Sequence, residues 1–351
     1  MTAPDPLAAL CDLAAAGRLR LVYVLGVPRS NTTIVCRLLG RRLDGAVYEP
    51  AMPSARTPLR HYARAIKSVY AAARAAIPDD RPVMLAVKDL DGFLNDEMFG
   101  FALAASCHMV FTTRDPALQY LSLERQFAKE FSPLHRVRSS LRHPVEQHWF
   151  FMHALRWLPR FWRLARAELG GGLNPLRTAV AGFGYSSWRL QAGHIARARA
   201  ALGAESMTIF DAGLMRLFPA EANSALDAIA AACARSALGT ELSDIGPLEL
   251  ESHSRMAANS HWARQARAGG GIAPLSAAGD LPASASSAAF ARKVSASLYP
   301  QYVQTFFDPA NRQLEAVRQR PIPRDAPPGL RTLLQAGGPA AAARRLAGRL
   351  D

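Results

Sequence analysis

Two kinds of segment alternate along the chain. Short, almost wholly apolar runs stand at residues 20–26 (RLVYVLG), 83–87 (VMLAV), 108–113 (HMVFTT) and 206–211 (SMTIFD), with a briefer one at 46–48 ending at Glu49-Pro50. Runs this short and continuously apolar, bounded by turn residues, predict strands buried on both faces. Longer segments of mixed polarity separate them: 30–42, 57–77, 94–105, 115 to about 129, 186–202 and 220–236. These predict helices. Ser30 or Asn31 can cap the first, and Asp115-Pro116 opens the fourth. Strands alternating with helices in this way predict an α/β fold with a parallel sheet flanked by helices.

The remaining segments are less regular. Residues 143–169 are aromatic and basic and predict one or two helices interrupted near Pro159. The cluster from His148 to Arg163 reads more readily as core than as the lining of an acceptor pocket. GGGLNP at 170–175 reads as a loop. Gly, Ala, Ser and Pro dominate 238–289, which predicts long loops, with helices resuming near 290. A single domain over 1–320 accounts for these elements, followed by a Pro-, Ala- and Arg-rich tail or helix at 321–351.

Composition narrows the function classes. Half of the 351 residues are hydrophobic, enough for a substantial core. The formal net charge is +14, carried mostly by arginine, and such a surface attracts anions. A basic background of solvated arginines accounts for it equally well. No block of like charges suggests a nucleic-acid arm. Cys11, Cys36, Cys107 and Cys233 are widely spaced, so neither a zinc site nor a disulfide framework is expected. His135, His143, His148 and His153 have no metal-ligand spacing, and no metal is expected. The N-terminus lacks a basic leader and carries Asp5 and Asp12, and no apolar run is long enough to span a bilayer. A cytoplasmic location without stable membrane insertion is therefore expected.

The informative chemistry lies after the first strand. Gly26-Val27-Pro28-Arg29-Ser30-Asn31-Thr32-Thr33 joins that strand to a helix. A strand–loop–helix junction gathers backbone N–H groups and the helix dipole around an anion. Laid on the Walker pattern, Gly26 and Thr33 match, Asn31 takes the place of the second glycine, and Thr32 replaces the lysine. The cation has moved to Arg29. A nucleoside triphosphatase without that lysine loses its clamp on the β- and γ-phosphates. A phosphosulfate site can use Arg29 and the two threonines instead. Further on, HMVFTT ends in Arg114-Asp115-Pro116, and Ser122 follows eight residues after Arg114. A guanidinium and a hydroxyl at the carboxyl edge of a parallel strand suit a phosphate monoester.

On these two motifs the chain resembles the PAPS-dependent sulfotransferases (PAPS is 3′-phosphoadenosine-5′-phosphosulfate). Their 5′-phosphosulfate loop commonly reads PRSGTT or PKSGTT where this chain has PRSNTT. Their 3′-phosphate is held by an Arg in an RDP run and a Ser eight residues later. The resemblance spans roughly residues 20–230. It implies the P-loop NTPase-like sulfotransferase fold and sulfuryl transfer from PAPS to a hydroxyl or amine of a small-molecule, carbohydrate or lipid acceptor. It also implies PAPS contacts from Arg29, Ser30, Asn31, Thr32, Thr33, Arg114 and Ser122, with Trp188 on the adenine side.

In many family members a His follows the Lys of the third strand and acts as base. Here the segment is VKDLDG and holds no His. The family's other solution is a Glu after the second strand, which points to Glu49 as base, Arg29 as clamp on the leaving oxygen and Lys88 as a secondary cation. Asp89 and Asp91 are next in line for the base. A surface carboxylate at Glu49 and an ion pair of Lys88 with Asp89 or Asp91 are the plainer readings of these residues. The loop that closes over the 3′-phosphate in the family has two candidates, Arg264–Gly271 and Arg292-Lys293. Two other functions remain open: an ATP-dependent phosphotransferase on the same scaffold, and a non-catalytic binder of nucleotides or anionic surfaces.

Overall fold

The computed structural model describes residues 5–51, 57–77, 79–130, 137, 141, 144–170, 174–236, 251–252 and 285–318. A first helix, α1 (Ala8–Ala15), leads into β1 (Leu19–Gly26), α2 (Thr32–Gly40), β2 (Ala46–Tyr48), α3 (Pro58–Ala76) and β3 (Val83–Leu90). A 3-10 turn, Asp91–Phe93, precedes α4 (Asp96–Ala105), β4 (Ser106–Thr113) and α5 (Pro116–Glu130). Then come α6 (Pro144–Leu169), α7 (Pro175–Leu202), β5 (Met207–Asp211), α8 (Ala212–Leu217) and α9 (Pro219–Ser236). A two-residue strand β6 (Glu251–Ser252), α10 (Ala285–Tyr302), a π-helical turn at Val303–Phe307 and α11 (Asp308–Arg318) complete the described chain.

The strands form one parallel sheet in the order β5-β4-β1-β3-β2-β6. The predicted α/β architecture with helices around a parallel sheet is therefore present. The apolar strand runs have the predicted cause: in β1 every residue except Arg20 is buried, and β3 and β4 are buried almost throughout. Burying both faces leaves no polar alternation to read.

Register places the function-bearing loops together. Gly26 lies level with Leu90 on one side and Thr112 on the other. Tyr48 is paired with Lys88, and Thr113 with Asp211. All of these stand at the carboxyl edge. From β1 the chain builds β2 and β3 on one flank, then crosses to build β4 and β5 on the other. The crevice between β1 and β4 is thus the topological switch point, where open α/β sheets bind ligands.

Three segments differ from the sequence expectation. The helix expected over 186–202 begins at Pro175, because the glycines and hydroxyls of its first half carry no helical apolar stripe. The expected break at Pro159 is absent, and α6 runs straight through it. A proline inside a helix costs about 3 kcal/mol, which tertiary packing must offset. That packing is tight: a Cβ on Gly182 of α7 would lie 1.8 Å from the backbone oxygen of Phe161. The last helices begin at Ala285, somewhat earlier than expected. The segment Arg264–Gly271 and the tail 321–351 lie outside the described residues. No helix among the described residues is long and apolar enough to cross a membrane.

Candidate anion-binding site

The loop after β1 is built around two constraints. Gly26 has no room for a side chain: a Cβ there would sit 2.1 Å from Thr112 Oγ1, 2.7 Å from the Thr112 carbonyl oxygen and 2.5 Å from Thr32 Cγ2. Downstream, Arg29 and Asn31 both take left-handed backbone conformations, with φ of +72° and +68°. Asn tolerates this region best among residues with a Cβ, whereas Arg does not, so the loop stores strain at Arg29. Asn31 stands at the N-cap of α2, but its side chain makes no capping hydrogen bond. The Asn31 side chain therefore does not cover the first-turn N–H groups of α2, which suits an anion at a helix start.

The predicted residues in the loop divide into two sets. The Ser30 hydroxyl is buried and turned inward, donating to the Val27 carbonyl at 2.6 Å and lying 2.7 Å from Thr112 Oγ1. Its side chain shapes the loop rather than facing outward. Thr32 is buried and Thr33 half-buried at the first positions of α2. Arg29 extends across the crevice, and its Nε donates to Ser122 Oγ at 3.0 Å. Arg114 returns the connection by donating from Nη1 to the Arg29 carbonyl at 3.1 Å. Two motifs far apart in sequence, PRSNTT and RDP with its serine, thus meet at the β1/β4 crevice.

Local chemistry explains how Arg114 and Ser122 are presented. The Asp115 carboxylate accepts from the N–H groups of Ala117 and Leu118 at 2.9 and 3.0 Å, capping α5 ahead of Pro116. Burial pushes the Asp115 carboxyl up to about 6, against those backbone hydrogen bonds. The cap fixes the first turn of α5, and Ser122 follows on the helix, 8% exposed.

Trp188 is placed elsewhere than on an exposed nucleotide face. It is 1% exposed, its ring edge-on to Tyr302 and Phe306. Its indole N–H donates to Gln119 Oε1 at 2.6 Å, and Gln119 Nε2 donates to the Pro28 carbonyl at 3.1 Å. Trp188 therefore reaches the loop through Gln119. Gln191, on the same helix, donates at 2.8 Å to the carbonyl of Thr112 in β4, whose hydroxyl meets Ser30 of the loop. Gln119 and Gln191 were not legible as site residues, because only the tertiary fold brings α5 and α7 under the loop.

At the other end of the edge, Glu49 takes a left-handed φ of +50°. Arg29, Asn31 and Glu49 are the non-glycine residues with positive φ among the described residues, and all three follow strands at this edge. Glu49 forms an ion pair with Lys88, which is almost fully buried while the carboxylate is 20% exposed. Lys88 thus pairs with Glu49, not with Asp89 or Asp91. Those two aspartates are wholly buried. Asp89 accepts from the Tyr23 hydroxyl and from the Ala51 N–H at 3.0 Å. Asp91 lies 2.8 Å from His194 Nδ1, whose ring stacks on Phe99 at 4.1 Å. Burial raises the carboxyls of both.

Arg292 and Lys293 are exposed on α10. The aromatic cluster is half-buried where it is described, with Phe161 packed edge-on to Phe183 at 5.3 Å. No group of His, Cys, Asp and Glu side chains suited to a metal occurs among the described residues. No family model matches the sequence, and comparisons with curated proteins and with solved structures return no match.

Proposed function

We propose that the chain is a PAPS-dependent sulfotransferase of the P-loop-like class, acting on a hydroxyl or amine acceptor. The observation that carries this reading is the pair of contacts Arg29 Nε to Ser122 Oγ and Arg114 to the Arg29 carbonyl. They join two anion-binding motifs at one crevice, as a ligand phosphorylated at both its 5′ and 3′ positions requires. Arg29 and the start of α2 hold the 5′-phosphosulfate, and Arg114 with Ser122 holds the 3′-phosphate. Trp188 supports the loop through Gln119 rather than touching adenine.

The transfer is a single displacement. The acceptor oxygen or nitrogen bonds to sulfur while the bond from sulfur to the phosphate oxygen breaks. The electron pair leaves on that oxygen, and 3′,5′-ADP departs. Arg29 balances the charge developing there. The acceptor proton passes to the Glu49 carboxylate, whose orientation the Lys88 ammonium fixes. Against an ATP-dependent alternative stands Asp89, the residue nearest in sequence to a magnesium-binding carboxylate: it is buried against Tyr23 and the Ala51 N–H.

Titration calorimetry tests the reading. The full-length protein is expected to bind 3′,5′-ADP at least tenfold more tightly than 5′-AMP, and more tightly than ATP with magnesium. Equal affinity for 3′,5′-ADP and 5′-AMP, or a preference for magnesium–ATP, would overturn it.

A further inference from the structure

Glu49 is held in a conformation that a residue with a Cβ adopts only when its surroundings impose it. Three contacts impose it here. The Glu49 N–H donates to the Lys88 carbonyl at 2.6 Å, extending the β2/β3 ladder by one step. The Lys88 ammonium pairs with the Glu49 carboxylate. Two residues on, the Ala51 N–H donates to Asp89 Oδ1 at 3.0 Å. Alternation along β3 sends the Lys88 and Asp89 side chains to opposite faces. The turn Glu49-Pro50-Ala51 is therefore gripped from both faces of one strand.

The grip on the Asp89 side is deep. Its second oxygen accepts from Tyr23 of β1, and the Tyr23 hydroxyl lies 3.1 Å from that of Tyr62 on α3. Tyr23, Tyr62 and Asp89 are all 0% exposed. Three apolar side chains would fill this volume without the cost of burying a carboxyl and two hydroxyls. The arrangement is explained if the acceptor atoms of Asp89 are needed where they stand.

We propose that Asp89 is a positioning residue for Glu49: backed by Tyr23 and Tyr62, its carboxylate anchors the Glu49-Pro50-Ala51 turn and so aims the Glu49 carboxylate. The catalytic half of this inference rests on the reading of Glu49 as the base. The anchoring half does not. Burial pushes the Asp89 carboxyl up to about 7. Tyr23 from β1 and Tyr62 from α3 lie on its own face, and the charges of Lys88 and Glu49 act on it from the other side of the strand. The state of the anchor thus changes near neutral pH: the carboxylate accepts from both donors, while the protonated acid carries a proton on one of its oxygens.

The test uses full-length Asp89→Asn, with Tyr23→Phe as a second variant should the first fail to fold, and calorimetric 3′,5′-ADP affinity as a control. Hydrogen exchange read by mass spectrometry on peptides covering residues 46–51 reports the anchor without any assay of turnover. Exchange there is expected to quicken at least tenfold while the β1 and β4 peptides keep their protection. Unchanged exchange in both Asp89→Asn and Tyr23→Phe overturns the anchor. For turnover, displacing a catalytic group by about 1 Å costs about 10²-fold, so kcat should fall roughly ten- to a hundredfold with the donor KM held within about threefold. The Asp89→Asn/Glu49→Gln double variant should be no slower than Glu49→Gln alone, because both act through one carboxylate. Full activity in Glu49→Gln would sink the assignment of the base. A slow Glu49→Gln beside a fully active Asp89→Asn would sink the positioning role alone.

Discussion

Arg114 donates from its guanidinium to the backbone carbonyl of Arg29, 3.1 Å across the crevice between β4 and β1. The cation after one strand therefore helps hold the strained residue of the loop after its neighbour. Arg29 in turn reaches Ser122, so the two motifs are mechanically tied to each other.

Arg114→Ala is expected to lower 3′,5′-ADP affinity by one to two decades. A charge-assisted contact of this type is worth about 2–3 kcal/mol. Affinity for 5′-AMP should fall less, because only the coupling to Arg29 is lost. The advantage of 3′,5′-ADP over 5′-AMP should then shrink to near unity. Calorimetry on both nucleotides checks this, and a preserved advantage would place the 3′-phosphate elsewhere.

Gly26→Ala should damage the fold and not merely the ligand site. The added methyl meets Thr112 from two sides and Thr32 from a third, all inside 3 Å. Overpacking of this kind costs about 1–3 kcal/mol, and rigid backbone at the contact favours the upper end. A urea melt should show a lower midpoint with the slope unchanged. A midpoint equal to wild type would mean that the loop yields easily.

How much of this was legible beforehand depends on whether a feature is local. The strands at 20–26, 46–48 and 108–113 could be read because burial on both faces writes a continuous apolar run. The Asp115-Pro116 helix start carries its own capping chemistry. The loop from Gly26 to Thr33 is likewise a local motif. Tertiary partners left no such mark. Nothing near Gln119 announces that it bridges Trp188 to Pro28, and the resemblance that puts Trp188 on the adenine side carries no information on its burial. For Lys88 the sequence leaves open a secondary cation or an ion pair with Asp89 or Asp91, and alternation along β3 turns Lys88 away from Asp89. Its true partner, Glu49, comes from the neighbouring strand.

Stability should rise on mild acidification. Burial raises the carboxyl of Asp89 to about 7 and of Asp115 to about 6, and it also raises those of Asp91 and Asp211. A carboxyl with a raised folded pKa binds its proton more tightly in the folded state. Its contribution is present at low pH and is lost as pH climbs from about 4 through the folded value. His108 opposes this: burial lowers it to about 4, so its contribution is lost as pH falls below about 6.5. The two carboxyls raised to about 6 and about 7 against one imidazole predict a higher melting temperature at pH 5.5 than at pH 7.5. Asp89→Asn should flatten that difference, and comparing it with wild type cancels the common surface background. An unchanged difference in the variant would refute the titration of Asp89.

Sulfuryl transfer should persist in excess EDTA. Thr32 stands in place of the Walker lysine, the cation of the loop is Arg29, and in the proposed mechanism Arg29 balances the charge on the leaving phosphate oxygen. Complete loss of turnover that magnesium restores would instead favour the ATP-dependent alternative.

Glu49→Gln separates two roles, one proposed and one seen in the structure. In the proposed role of base, Glu49 takes the acceptor proton, and losing a general base costs about 10²–10⁴ in rate. As counter-ion, it neutralises Lys88, which is 2% exposed. Removing one partner of a buried pair leaves the other uncompensated, at a cost of about 3–5 kcal/mol for full burial and less here, where the carboxylate is partly open to solvent. Gln retains an acceptor for the ammonium but not the charge. The expected result is a large fall in kcat, 3′,5′-ADP affinity within about threefold of wild type, and a lowered melting temperature. Adding Lys88→Met removes the stranded ammonium, so the double variant should melt higher than Glu49→Gln while staying as slow. If Lys88→Met restores both stability and turnover, Glu49 serves only to pair Lys88. If Glu49→Gln melts low yet turns over within a few-fold of wild type, the proton leaves by another route and the carboxylate is structural.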